Sequence, residues 1–205
     1  MYQKFVKRAL DILVSFFGIL ILTPLMLVLA IAIKLDSPGP VLFVQKRVGI
    51  HKTYFPILKF RTMRKETPDD VPTHLLQVPE QWITRVGKFL RRTSLDELPQ
   101  VFNIFIGQMS VVGPRPALWN QFDLIEERDR YGANDIIPGL TGWAQINGRD
   151  ELEISVKARL DGEYVRNVSF GFDWKCIVGT FAAVFSKKGM VEGGTGAMEQ
   201  EEVKK

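Results

Sequence analysis

The longest hydrophobic stretch of the chain lies near its start. Ile12 to Ile33 is apolar apart from two hydroxyl side chains, Ser15 and Thr23. A helix of about 22 residues is roughly 33 Å long, which is enough to cross the hydrocarbon core of a bilayer. A signal peptide fits less well, because its apolar core usually has only about 7–15 residues. Ala30-Ile31-Ala32 nevertheless resembles a cleavage site.

The pair Thr23-Pro24 falls at the middle of this stretch. An interior proline removes a backbone hydrogen bond and kinks a helix. Basic residues flank both ends, so the positive-inside bias selects no orientation. Both features favour a bent hairpin that enters one leaflet and returns, and a kinked transmembrane helix is the alternative. Lys7 and Arg8 are candidates for contact with lipid headgroups, or else solvated interfacial charges.

The remaining pattern predicts an α+β fold. Val41–Val44 and Tyr54–Leu58 read as two short strands connected through Gly49. Apolar residues at helical spacing then predict helices around residues 82–90, 98–105, 119–125, 152–164 and 174–185. Asp173 is the expected N-cap of the last helix, and the charged run from Glu126 to Arg130 is expected to face solvent.

We find no internal repeat and no clear domain boundary. The expected organisation is a membrane segment over residues 1–36, a catalytic region over residues 37–190 and a flexible tail over residues 191–205. The tail contains Gly193-Gly194-Thr195-Gly196, which lacks the preceding strand and following helix of a phosphate-binding loop.

Composition narrows the class of partner. The chain has 205 residues, a net charge of +4 and a pI of about 9.2, so an anionic partner is expected. Its single cysteine, Cys176, excludes an internal disulfide framework. His51 and His74 lack metal-ligand spacing. The cations are dispersed and no nucleic-acid-binding module is recognised, so nucleic acid is the least expected partner.

Two adjacent acids, Asp96 and Glu97, follow Arg91 and Arg92. One interpretation is purely structural: Asp96 would be a helix N-cap, and Ser94-x-x-Glu97 matches a capping box. The other is a catalytic carboxylate pair beside cations.

Several basic residues stand where they could bind an anion. Strand alternation places Lys59 and Arg61 on one face. Arg115 lies between two prolines that limit its backbone freedom, and Arg149 ends a glycine-punctuated segment. A solvated basic edge, a plain proline turn and a structural loop are the respective alternatives.

Taken together and in order, these motifs resemble the bacterial sugar transferase family, the small monotopic phosphoglycosyl transferases. The resemblance covers all but the last dozen or so residues, and without a preceding multi-helix region the chain looks like the minimal catalytic form. It is carried by the apolar segment with Pro24, Lys59-Phe60-Arg61-Thr62-Met63, Ser94-Leu95-Asp96-Glu97-Leu98-Pro99-Gln100, Gly113-Pro114-Arg115-Pro116, Pro138-Gly139-Leu140-Thr141-Gly142 and Asn147-Gly148-Arg149.

The resemblance implies a membrane re-entrant helical hairpin with interfacial amphipathic helices around a small β-hairpin. It implies a phospholipid membrane as partner, at the cytoplasmic face of the bacterial inner membrane. It also implies a reaction: a UDP-sugar gives its sugar-1-phosphate to polyprenyl (undecaprenyl) phosphate, UMP is released, and Mg2+ is required. A homodimer is compatible with it.

The family's roles transfer to matching positions of this chain. Asp96 is expected to be the nucleophile, and Glu97 and Asp96 the magnesium ligands. Lys59, Arg61, Arg91, Arg115 and Arg149 are expected to bind phosphate. Pro116–Gln121 resembles members that act on UDP-linked N-acetylated deoxy-amino sugars, with UDP-glucose or UDP-galactose as the alternative. A non-catalytic membrane scaffold and a phosphohydrolase are competing interpretations.

Overall fold

One long helix, α1 (Lys7–Asp36), supports the rest of the fold. The structure is a computed structural model that describes residues 2–67, 81–148 and 152–185. The other helices are α2 (Arg85–Thr93), α3 (Gln100–Ile106), α4 (Phe122–Asp129), α5 (Trp143–Ile146), α6 (Ile154–Arg166) and α7 (Phe170–Phe185). The strands are β1 (Leu42–Val48), β2 (Tyr54–Phe60), β3 (Ser110–Val112) and β4 (Gly139–Thr141).

The predicted mixture of helices and a small β-hairpin is confirmed. β1 and β2 pair antiparallel, with Leu42 opposite Phe60 and Val48 opposite Tyr54. A second sheet was not predicted: β3 and β4 pair in parallel, and each has only three residues. Three-residue strands are too short to show an alternation in the sequence, and this pairing joins segments that lie far apart in the chain.

The helix break predicted at Thr23-Pro24 is not seen, because α1 continues through Pro24 to Asp36. The Thr23 hydroxyl donates to the Ile19 carbonyl at 2.6 Å. Among the described residues, α1 is the helix long and apolar enough to cross a membrane by length and composition.

Both ends of α1 pack on the same folded body. Near its C-terminal end, Met26, Leu29 and Ile33 pack with Phe60 of β2 and Leu90 of α2. The Asp36 carboxylate accepts a hydrogen bond from the Val86 amide at 2.9 Å, capping α2 together with the Thr84 hydroxyl.

Near the N-terminal end of α1, charged side chains bind other elements. Arg8 donates to the carbonyls of Ile104 and Phe105 at 2.7 and 2.8 Å, and Asp11 accepts from the Val111 amide at 2.9 Å. Lys7 lies 2.6 Å from Asp173 and its side chain is only 12% exposed. These cations dock α1 on α3 and α7, and the predicted contact of Lys7 and Arg8 with lipid headgroups stays a prediction.

Two further predictions need correction. Asp173 is not an N-cap, since α7 begins at Phe170; its carboxylate is buried and also accepts from the hydroxyls of Tyr2 and Tyr164. Arg128, in the run expected to face solvent, is only 4% exposed. Cys176 is a free cysteine buried in the core beside Val112 and Tyr164.

Large apolar side chains are exposed on three helices. On α1 they include Leu13, Phe17, Leu20, Ile21, Leu27, Val28 and Ile31; on α3, Phe102, Phe105 and Ile106; on α7, Phe170, Trp174, Val178 and Phe181. Exposed apolar surface of this extent is typical of contact with a membrane or a partner. The predicted tail, residues 191–205, lies outside the described residues.

Candidate active site

The two acids singled out from the sequence lie on a tight turn between α2 and α3. α2 ends at Thr93, Ser94 has a left-handed backbone with φ 56°, and a 3-10 turn covers Leu95–Glu97. The predicted capping box is wrong: Ser94 makes no side-chain capping bond, and the N-cap position of α3 is Pro99. The acids are therefore not engaged as helix caps.

Glu97 is held by two cations from different parts of the chain. Its Oε1 accepts from Lys59 Nζ at 2.8 Å and from Arg115 Nη2 at 2.7 Å. Burial raises the pKa of Glu97, but Arg115 and Lys59 more than offset this, and the net pKa lies well below the ordinary value. Glu97 is thus an ionised carboxylate that binds both Lys59 and Arg115 and holds them close together.

Asp96 lies in the same electrostatic environment, and it makes no equivalent ion pair with the residues that the structure describes. Burial raises the pKa of its carboxyl above the ordinary value; Lys59, Arg91 and Arg115 oppose this shift, and the Glu97 charge adds to it. A carboxylate with a raised pKa is a stronger base and a better nucleophile once ionised. The two neighbours therefore differ: Glu97 stays ionised, whereas the raised pKa of Asp96 favours nucleophilic attack by its carboxylate.

The loop that carries Arg115 is built by the second sheet. The Gly113 amide donates to the Thr141 carbonyl at 2.8 Å, and the Gly139 amide donates to the Pro114 carbonyl at 2.9 Å. A Cβ on Gly139 would lie only 2.0 Å from the Gly113 nitrogen, so β4 needs glycine here. The glycine-rich segment thus approaches another backbone and sets the position of Arg115.

A buried ion pair holds this loop from the other side. Arg128 of α4 lies 2.6 Å from Asp161 of α6, with side chains 4% and 1% exposed. Arg128 Nη1 also donates to the main-chain carbonyl of Arg115 at 2.9 Å. Neither residue was predicted to belong to the site, and only the tertiary packing of α4 on α6 shows the connection.

The other predicted phosphate-binding residues have different surroundings. Arg91 donates to the Thr62 hydroxyl at 2.9 Å, and its charge lowers the pKa of Asp96. Arg61 is 5% exposed, and its Nη2 donates to the Ser37 carbonyl at 2.7 Å, beside the end of α1. The structure therefore gives Arg61 a structural contact and does not support its predicted phosphate contact. Arg149 lies outside the described residues.

A small cleft adjoins the acids. It encloses about 180 Å³, including its open mouth, and is lined by Arg47, Ile57, Lys59, Arg115 and Pro116. Lys59 and Arg115 thus face both this cleft and Glu97. Arg47 was missed in the sequence, although it stands on β1 opposite Phe55 of β2.

The residues present fit a divalent cation whose remaining ligands come from the substrate and from water. No cluster of three or more His, Cys, Asp or Glu side chains occurs within residues 2–67, 81–148 and 152–185. Mg2+ commonly takes only one or two protein carboxylates together with phosphate oxygens and water. Asp96 and the second oxygen of Glu97 are a donor set of that kind.

Comparison with known proteins gives the family. The bacterial sugar transferase model matches residues 2–187, and the chain therefore belongs to this family of transferases. It is 43% identical to an undecaprenyl-phosphate glucose phosphotransferase of Komagataeibacter xylinus (83% of this chain, 34% of the relative). It is 42% identical to the UDP-glucose:undecaprenyl-phosphate glucose-1-phosphate transferase of Escherichia coli (strain K12), over 92% of this chain and 41% of the relative.

A third relative is named for another sugar. It is the UDP-N-acetylgalactosamine-undecaprenyl-phosphate N-acetylgalactosaminephosphotransferase of Aeromonas hydrophila, 37% identical over 89% of this chain and 44% of the relative. The chain spans between a third and a half of the length of these three relatives.

Proposed function

We propose that this chain transfers a sugar-1-phosphate from a UDP-sugar to a polyprenyl phosphate such as undecaprenyl phosphate and releases UMP. One observation carries the proposal: the turn that bears Asp96 and Glu97 joins a cationic pocket to a membrane-type helix. Lys59 and Arg115 meet at Glu97 on one side. On the other, Leu95 and Leu98 pack with the apolar residues of α1.

In the first half-reaction, an Asp96 carboxylate oxygen attacks the sugar-bearing phosphorus of the UDP-sugar. A phosphorus–oxygen bond to Asp96 forms, the diphosphate bond breaks, and UMP leaves with the electron pair. No general base is needed, because the nucleophile is a carboxylate. Lys59 and Arg115 offset the repulsion between this carboxylate and the diphosphate, and Arg91 adds positive charge nearby.

In the second half-reaction, an oxygen of the polyprenyl phosphate attacks the same phosphorus. The bond to Asp96 breaks, the free carboxylate returns, and a polyprenyl diphosphate sugar forms. The two substrates then use one cationic site in turn, which is a ping-pong scheme. Mg2+ bound by Asp96 and Glu97 would supply charge neutralisation for the diphosphate.

Membrane attachment completes the proposal. Arg8 and Asp11 near one end of α1, and Asp36 at the other, bind the same folded body. A helix that crosses a bilayer places its ends on opposite sides, whereas this docking favours ends on one side. We therefore propose that α1 bends at Pro24 without a break in the helix, so that it enters the membrane and returns, and that the chain is monotopic on the cytoplasmic face of the bacterial inner membrane.

The sugar is proposed as an N-acetylated deoxy-amino sugar, on the resemblance of Pro116–Gln121. The names of the relatives include both glucose and N-acetylgalactosamine, so UDP-glucose is the second candidate. Pro116 lines the cleft and Leu118 bridges to Arg47, which puts this segment beside the proposed donor site.

The test is formation of a lipid-linked product by the purified chain in undecaprenyl phosphate vesicles with Mg2+ and a panel of UDP-sugars. Glu97→Gln should lower turnover by about two orders of magnitude, because it releases both Lys59 and Arg115. Asp123→Asn, an exposed acid on α4, is the control and should retain activity. Free sugar phosphate without lipid product would favour a phosphohydrolase, and no turnover with any donor would favour a scaffold.

A further inference from the structure

We infer that Arg47 binds the phosphate of the departing nucleotide, in the cleft that it lines with Lys59 and Arg115. This inference rests on the proposed function and deepens it. The sequence patterns described above do not single out Arg47.

The position of Arg47 relative to the acids carries the argument. Lys59 and Arg115 contact Glu97 and also line the cleft, and Arg47 lines the same cleft. We infer that the two shared cations lie between the reacting acid and Arg47. A diphosphate whose sugar-bearing phosphorus meets Asp96 would extend its nucleotide phosphate past these cations toward Arg47.

The charges around the cleft also favour an anion. Three cations line it, and two of them, Lys59 and Arg115, are bonded to Glu97. Three cationic side chains around one cleft suit a phosphate that gains charge as it leaves. Arginine is well matched to this task, because its planar fork can bind two phosphate oxygens.

Two hydrogen bonds fix the position of the Arg47 guanidinium. Arg47 Nη1 donates to the Pro116 carbonyl at 3.1 Å, and Nη2 donates to Gln45 Oε1 at 2.7 Å. An arginine fixed in this way loses little freedom when it binds. The same bonds define the competing explanation, in which Arg47 only braces the loop at Pro116 and touches no ligand.

A pair of ligands separates these two roles. UMP and uridine differ by the phosphate, so a phosphate-binding residue affects UMP alone, whereas a collapsed loop affects both. We would measure inhibition of labelled sugar transfer to lipid by each ligand, with wild type, Arg47→Ala and Lys46→Ala. Lys46 is the matched control, since its ammonium lies 4.0 Å from the Tyr54 ring centroid and does not line the cleft.

For Arg47→Ala we expect UMP inhibition to weaken about tenfold or more, with uridine inhibition unchanged. Lys46→Ala should match wild type with both ligands. Equal weakening of UMP and uridine inhibition, or no change in either, would overturn the inference. If Arg47→Ala does not fold, Arg47→Lys replaces the fork by one ammonium, and wild-type UMP inhibition in that variant would overturn it equally.

The outcomes for wild type keep this inference separate from the proposed function. Absence of lipid-linked product from wild type with every UDP-sugar would refute the transferase proposal itself. Normal transfer by wild type combined with unaltered UMP inhibition in Arg47→Ala would refute only the role of Arg47.

Discussion

Arg128 Nη1 donates a hydrogen bond to the carbonyl oxygen of Arg115 at 2.9 Å. The same guanidinium is paired with Asp161, and Arg115 in turn reaches Glu97. A buried pair on two helices thus holds the main chain of a cation that contacts the proposed catalytic acids. Arg128 and Asp161 act on the site through Arg115, as positioning residues.

Removing the partner of Arg128 should therefore affect both stability and the active site. Asp161→Ala leaves a buried guanidinium uncompensated, and we expect the free energy of unfolding to fall by about 3–5 kcal/mol. Chemical denaturation measures this. Lys52→Ala, which breaks the exposed pair with Asp129, should cost no more than about 1 kcal/mol. A loss for Asp161→Ala as small as that of the control would contradict the positioning role.

The acid limb of the pH–rate profile should follow the charges around Asp96. Asp96 must be ionised to attack, so activity falls as pH drops through its pKa, which burial places above the ordinary value. Lys59 lowers this pKa, and Lys59→Ala should therefore shift the limb of the residual activity to higher pH. Glu97 raises it, and Glu97→Gln should shift the limb to lower pH. Shifts of the opposite sign would argue against Asp96 as the titrating group.

Substitutions of Arg61 and Arg115 should have different effects, because Arg61 makes a structural contact and Arg115 is proposed to bind substrate. Arg61→Ala removes bonds to the carbonyls of Pro38 and Ser37 and should lower the melting temperature, with the KM for UDP-sugar largely unchanged in the folded fraction. Arg115→Ala should raise that KM about tenfold or more with a smaller thermal effect. A raised KM with Arg61→Ala would restore the phosphate contact first predicted for it.

Cysteines placed before and after α1 should react with an impermeant reagent from the same side of the membrane. Phe5 precedes α1 in the sequence and Lys46 follows it. Both side chains are exposed, and each residue can be replaced by cysteine. The native Cys176 is buried and should react slowly. An impermeant maleimide should modify both engineered cysteines in inverted inner-membrane vesicles and neither in intact spheroplasts. Labelling of Phe5→Cys from the outside would indicate a transmembrane helix.

Local patterns predicted the parts of the fold that depend on neighbouring residues. The hairpin of β1 and β2 follows from its strand residues, and the site at Asp96 and Glu97 from the order of short motifs. Arg61 shows the limit of alternation. β2 ends at Phe60, so Arg61 leaves the strand and reaches the end of α1 instead of the face that holds Lys59.

Contacts between residues far apart in the sequence determine the features of the fold that local patterns do not predict. Arg128 sits in a charged run that is typical of an exposed helix face, and only Asp161, 33 residues later, explains its burial. No local pattern predicts the pair between Lys7 and Asp173, which are 166 residues apart. β3 and β4 pair Ser110 with Gly139, a contact with no local signal.

The most direct test of the account is a mass measurement of the intact protein with a UDP-sugar and Mg2+ but no lipid acceptor. We predict UMP release of up to one equivalent per enzyme and a sugar-phosphate adduct that maps to Asp96. The adduct should disappear when polyprenyl phosphate is added. Normal turnover by Asp96→Asn, together with no adduct on the wild-type enzyme, would contradict the covalent route.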